Sequence, residues 1–133
     1  MSALTLVFGT CNYSSWSLRP WLLLRHLGLE FTARQYHFGT PEFESEVPKL
    51  SPTRLVPVLL DGERRIWESL AICEYISELA GGRGWPTDQR MRAVARSIAT
   101  EMHAGFRTLR DACPMNARAS GRRSARAFPR FAC

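Results

Sequence analysis

The chain begins with an apolar run, Leu4 to Phe8, that empties at Gly9 into a polar loop, Thr10-Cys11-Asn12-Tyr13-Ser14-Ser15-Trp16-Ser17. A short apolar run bounded by turn residues predicts a buried strand. Behind the loop the pattern changes to helical spacing and closes on Gly28, which predicts a helix from about Arg19 to Leu27. Leu29 to Phe38 alternates loosely, with Phe31, Ala33 and Tyr36 as apolar marks, and predicts a second strand. Strand, helix and strand in that order favour a parallel pair with a right-handed crossover. Thr40-Pro41-Glu42 starts another helix, with Pro in its first turn, and Pro48 is expected to stop it quickly. Val56-Pro57-Val58-Leu59-Leu60 and Arg65-Ile66-Trp67 flank Asp61-Gly62 and read as a β-hairpin. Pro57 cannot donate to a ladder, so it must begin its strand or lie at an edge. Leu70, Cys73, Ile76 and Leu79 then recur at helical spacing, with Ser69 in the expected N-cap place and Gly81-Gly82 as the stop.

The order is β-α-β followed by β-β-α. It predicts an α/β fold, a mixed sheet with a parallel half and an antiparallel half and helices on both faces. Residues 1–80 would form this domain and 81–87 a linker. Thr87-Asp88 opens a further helix over 88–115, with Met91, Val94, Ile98, Met102 and Leu109 on one face and Arg90, Arg92, Arg96 and Arg107 mostly on the other. A helix appended to a complete sheet domain marks the start of a second, all-helical domain.

Charge alters the picture only once it is mapped. The net charge of +6 suggests nucleic acid, but Arg118, Arg122, Arg123, Arg126 and Arg130 follow Pro114 without a single acid and leave +1 for residues 1–113. The folded part is nearly neutral, which argues against a nucleic-acid surface. Residues 116–133 contain no Leu, Ile, Val or Met, so this basic tail is expected to be disordered. No apolar run approaches the roughly 18 residues of a membrane span, and Met1 to Gly9 lacks the basic start of a signal peptide. The cysteines at 11, 73, 113 and 133 show no CxxC and no ligand spacing to His26, His37 or His103. They read as reduced cytoplasmic thiols, not as a disulfide frame or a metal site. Cys73 lies in an apolar helix pattern and reads as core, whereas Cys11, in the key loop, is the one thiol placed for chemistry.

The candidate chemistry lies at two helix starts. The loop with Ser14, Ser15 and Ser17 places hydroxyl groups beside free N–H groups and the positive end of a helix, a place for a thiolate, carboxylate or phosphate. The plainer reading has Ser17 capping the helix and the other serines filling the loop. Glu68-Ser69 presents a carboxylate, a hydroxyl and helix N–H groups at one point, against the plainer reading of a cap preceded by a solvated acid.

The order of elements resembles the thioredoxin-like β-α-β-β-β-α domain that opens cytosolic glutathione S-transferases. Three stretches carry the resemblance in register. Ser14-Ser15-Trp16-Ser17-Leu18-Arg19 is similar to the SSxSxR stretch of zeta-type members, which include maleylacetoacetate isomerases. Leu55-Val56-Pro57-Val58-Leu59 resembles the xVPxL segment, whose proline is cis, and Glu68-Ser69-Leu70-Ala71-Ile72 the (E/Q)S-x-A-I motif. Residues 91–116 are similar to the first helix of the family's second domain.

The resemblance implies a glutathione site. Ser14 would donate to the glutathione sulfur with Ser15 as backup donor. Val56 beside cis-Pro57 would pair with the cysteinyl backbone, Ser69 would hold the γ-glutamyl carboxylate, and Glu68 would meet the amine. It implies a transferase that joins this thiol to a small electrophile, as a homodimer or self-associating chain, with no metal and no membrane. The zeta pattern has a cysteine where Trp16 stands, which weakens the isomerase alternative relative to a transferase. Family members carry several helices in the second domain, so a truncated helical domain and impaired activity are expected. Glutaredoxin-like exchange would need Cys11 in place of serine. A non-catalytic glutathione-binding or assembly module is the alternative outside enzymes.

Overall fold

The computed structural model describes residues 3–121. Its elements run β1 Leu4–Phe8, α1 Ser15–His26, β2 Phe31–Gln35, α2 Pro41–Leu50, β3 Val58–Asp61, β4 Arg64–Trp67, α3 Ser69–Leu79, α4 Gln89–Ala104 and α5 Arg107–Ala112. The sheet order is β2-β1-β3-β4. β1 pairs β2 in parallel, with Leu6 opposite Ala33, and β3 antiparallel, with Leu6 opposite Leu59. The hairpin forms as the Asp-Gly signal predicts, with Asp61 opposite Arg64, so its two-residue loop is Gly62-Glu63. This is the thioredoxin-like α/β arrangement, followed by helices.

Alternation along β1 divides the core between the two sheet faces. Leu4, Leu6 and Phe8 pack with Leu24 of α1, Leu59, and Ile72 and Ile76 of α3. Val7 faces the other way onto Val47 of α2, Tyr36 and Val58. Burying these side chains contributes about 1.5–3 kcal/mol each, and they hold β1 and β3 against α1 and α3.

Several boundaries differ from the sequence reading. α1 begins at Ser15 rather than Arg19, because Ser14 takes the N-cap and its side chain accepts from the Ser17 amide. α2 continues through Pro48 to Leu50, and the Ser51 amide still closes on Val47. Pro48 removes one N–H near the helix end without breaking the last turn. Ser69 is the first residue of α3 and not its cap; Glu68 holds that position at φ 69° with no side-chain cap bond. The apolar pattern over 88–115 is broken into α4 and α5 at Gly105 and Phe106, the latter at φ 63°.

α4 and α5 pack lightly. None of their residues is buried, and Met91, Val94, Ile98, Met102 and Leu109 are exposed. Of the segment 116–133, residues 122–133 lie outside the described residues. At its start Asn116, Ala117 and Arg118 hydrogen-bond Asn12 in the loop after β1. Among the described residues, no helix is long and apolar enough to cross a membrane, and no group of His, Cys, Asp and Glu could hold a metal ion.

Candidate functional site

The loop from Gly9 to Ser14 is wired before any ligand is considered. Thr10 O accepts from the Tyr13 and Ser14 amides. Ser14 Oγ accepts from the Ser17 amide at 3.2 Å and donates to Ser17 Oγ at 2.9 Å, and Ser17 Oγ accepts from the Gly9 amide at 3.1 Å. Ser14 and Ser17 are buried. This chain of bonds binds the end of β1 to the first turn of α1. Ser15, the first residue of α1, is half-buried, and its hydroxyl has no partner among the described residues.

A second group of residues converges on a cleft of about 260 Å³ lined by Trp16, Thr53, Leu55, Val56, Pro57, Glu68, Ser69 and His103. The sequence-predicted Val56, Pro57, Glu68 and Ser69 are therefore brought together, while Ser14 and Ser15 lie next to its wall residue Trp16. The Val56–Pro57 peptide is cis. Ser69 is 2% exposed, and its Oγ has no hydrogen-bond partner among the described residues. A buried hydroxyl without a partner costs about 1–3 kcal/mol, so an acceptor or donor from a ligand would relieve it. The first N–H groups of α3 lack intrahelical carbonyls and add a positive dipole end at the same point. Glu68, beside them, sits at a positive φ that a non-glycine side chain rarely adopts. An anion at the α3 start and a cation at Glu68 would both be matched.

Trp16 forms one wall and is held firmly. The Arg19 and Arg110 guanidinium groups each lie 4.3 Å from its ring centroid, and His103 meets it edge-on at 5.2 Å. Burial, and the nearby Arg110 charge, pull the Arg19 guanidinium below its ordinary value. His103 Nε2 lies 3.4 Å from Glu68 Oε2, so α4 touches the site through this contact. Sequence reasoning assigns no role to Trp16, Arg19, His103 or Arg110. The available signal was weak: His103 and Arg110 come from helices whose packing no local pattern encodes.

Beyond Ser69 and His103 a smaller cavity of about 220 Å³ opens between α1, α3 and α4, lined by Arg19, Leu23, Cys73, Trp85 and Met102 among others. Burial pushes the Cys73 thiol up to about 11, and burial likewise raises Cys11. Neither is poised as a thiolate near neutral pH. Cys11, Cys73 and Cys113 are unpaired.

A family model described as glutathione S-transferase, N-terminal domain, matches residues 13–79. A probable maleylacetoacetate isomerase from Vibrio cholerae is 34% identical over 99 residues, spanning 68% of this chain and 46% of that protein. A maleylacetoacetate isomerase from Rhizobium meliloti is 46% identical over 59 residues, spanning 40% of this chain and 27% of that protein. Among solved structures, a glutathione transferase homolog from Burkholderia with bound glutathione matches at TM-score 0.69 and 27% identity, spanning 84% of this chain and 62% of the other. The chain thus spans about half the length of the first curated relative and less of the second.

Proposed function

From the premise that the chain belongs to the glutathione S-transferase family, we propose that it binds glutathione and activates the thiol for transfer to a small electrophile. What carries this reading is the cleft that gathers Val56, cis-Pro57, Glu68 and the partnerless Ser69 hydroxyl beside the serine-rich start of α1. In this assignment Ser69 and the α3 amides take the γ-glutamyl carboxylate, and Glu68 takes the ammonium. The Val56 backbone pairs with the cysteinyl peptide. The sulfur then lies toward the α1 start, where Ser14 or Ser15 donates to it.

A free thiol ionises near pH 8.5 and is only a few per cent thiolate at neutral pH. The thiolate is the nucleophile, so a donor that stabilises it increases the reactive fraction. Ser14 already gives its proton to Ser17, and Ser15 does not, which favours Ser15 as the donor with Ser14 holding the turn. The raised Cys11 thiol weighs against thiol–disulfide exchange through that residue. Trp16, fixed in the cleft wall where the isomerase pattern has cysteine, weighs against the isomerase alternative.

Glutathione titrated against thermal unfolding tests the binding half, since a ligand of the native state must raise apparent stability. Turnover of a generic aryl electrophile with glutathione tests the transferase half. A thermal shift without turnover would leave a glutathione-binding module. No shift at saturating glutathione overturns the proposal. Self-association belongs to the same proposal, and sedimentation of the purified chain decides it.

A further inference from the structure

Glu68 is the acid of the cleft lining, yet its side chain is 59% exposed. A long, exposed carboxylate samples several rotamers unless a neighbour holds it. His103 is that neighbour, with Nε2 at 3.4 Å from Oε2. The imidazole is itself fixed, edge-on to Trp16 at an interplanar angle of 75°, and Trp16 is in turn flanked by Arg19 and Arg110. His103 Nδ1 is buried and has no partner among the described residues, so no competing bond turns the ring away from Glu68.

We propose that His103 is a positioning residue that sets the Glu68 carboxylate for a free ammonium, so that the cleft selects thiol peptides carrying an α-amino group. This rests on the glutathione reading and adds to it a determinant from α4, outside the motif-bearing domain. An ionised carboxylate has about four acceptor positions, so Glu68 can lie against the imidazole and still accept from a ligand ammonium. With His103 absent, Glu68 would have to be ordered by the ligand itself, and only ligands that use Glu68 would lose affinity.

The test is calorimetric binding of glutathione and of its des-amino analogue, glutaryl-cysteinylglycine, to the full chain. The variant His103→Phe keeps an aromatic edge against Trp16 and removes both nitrogens. It is expected to weaken glutathione on the order of tenfold while the des-amino analogue changes by less than about twofold. His103→Gln, which can still donate to Glu68, is expected to recover part of the loss. In a Glu68→Gln background, His103→Phe should have no further amine-selective effect. Equal weakening of both ligands, or no change in either, overturns the inference. If the unmutated chain binds neither ligand, the glutathione reading itself fails.

Discussion

Ser14 and Ser15 are adjacent and do different work. Ser14 is spent on the turn, capping α1 and bonding Ser17, whereas Ser15 keeps its hydroxyl unengaged. Ser15→Ala is therefore expected to raise the pKa of the bound glutathione thiol by about one to two units, the equivalent of one hydrogen bond to a charged group. Ser14→Ala is expected to cost about 1 kcal/mol of stability through the lost cap. Thiolate absorbance against pH, with urea unfolding alongside, separates them, and a pKa shift confined to Ser14→Ala would exchange the two roles. Ser69→Ala should leave the thiol pKa alone and weaken binding about tenfold or more, because the proposed pose sets its hydroxyl at the γ-glutamyl end of the ligand, away from the sulfur. Cys73 allows a pH prediction of known sign. Its thiol is pushed up to about 11 in the folded chain, so the folded state holds a proton that the unfolded state releases near pH 8.5. The stability linked to this thiol is fully present below that pH and is lost as pH rises toward 11. Cys73→Ala should flatten this part of the stability profile, and an unchanged slope would show that other groups cause it.

At the scale of elements, the candidate site depends on two helix starts being held at one end of the sheet, after β1 and after β4. Gly9 is part of that mechanism: a Cβ there would lie 2.4 Å from Phe38 Cζ, while its amide donates to Ser17 Oγ. Gly9→Ala should thus displace the Phe38 ring and cost about 1–3 kcal/mol in urea unfolding, as overpacking does. A variant as stable as the parent would mean that Phe38, itself half exposed, yields without cost. The order of elements and both core faces were legible because strands and helices impose periods of 2 and 3.6 on apolar residues. The gathering of Val56, Pro57, Glu68 and Ser69 was legible only through motif resemblance, since nothing local says that residues 56 and 69 meet. The helix boundaries were less legible. Ser17 and Ser69 each look like caps, but the cap is the residue whose backbone leaves the helix, and that is Ser14 in one case and Glu68 in the other. Pro48 reads as a stop, yet near a C-terminus the lost bond is a small penalty and the turn completes.

The molecule as a whole is uneven. The sheet with α1 and α3 owns the buried core, whereas α4 and α5 bury no residue fully and present Met91, Val94 and Ile98 outward. Most helical stability in proteins comes from tertiary packing, so α4 depends on the contacts it makes. Those contacts are few: Arg96 lies 3.5 Å from Glu74 and 5.5 Å from the Trp85 ring centroid, and His103 reaches Glu68 and meets Trp16 edge-on. Exposed ion pairs of this kind contribute about 0–1 kcal/mol each. The free energy of opening α4 should accordingly fall well below that of global unfolding. Hydrogen exchange on the full chain is expected to show the amides of β1, β3 and α3 as the slowest, and those of α4 exchanging much faster. Glutathione should then slow the last turn of α4 more than its first. A ligand that engages Glu68 stabilises the arrangement His103 belongs to, whereas Gln89 to Arg92 touch nothing in the cleft. Uniform exchange across α4 and the sheet would instead mean that the chain opens as one cooperative unit. Protection without a difference between the two ends of α4 would remove the link from the cleft to the helix through His103.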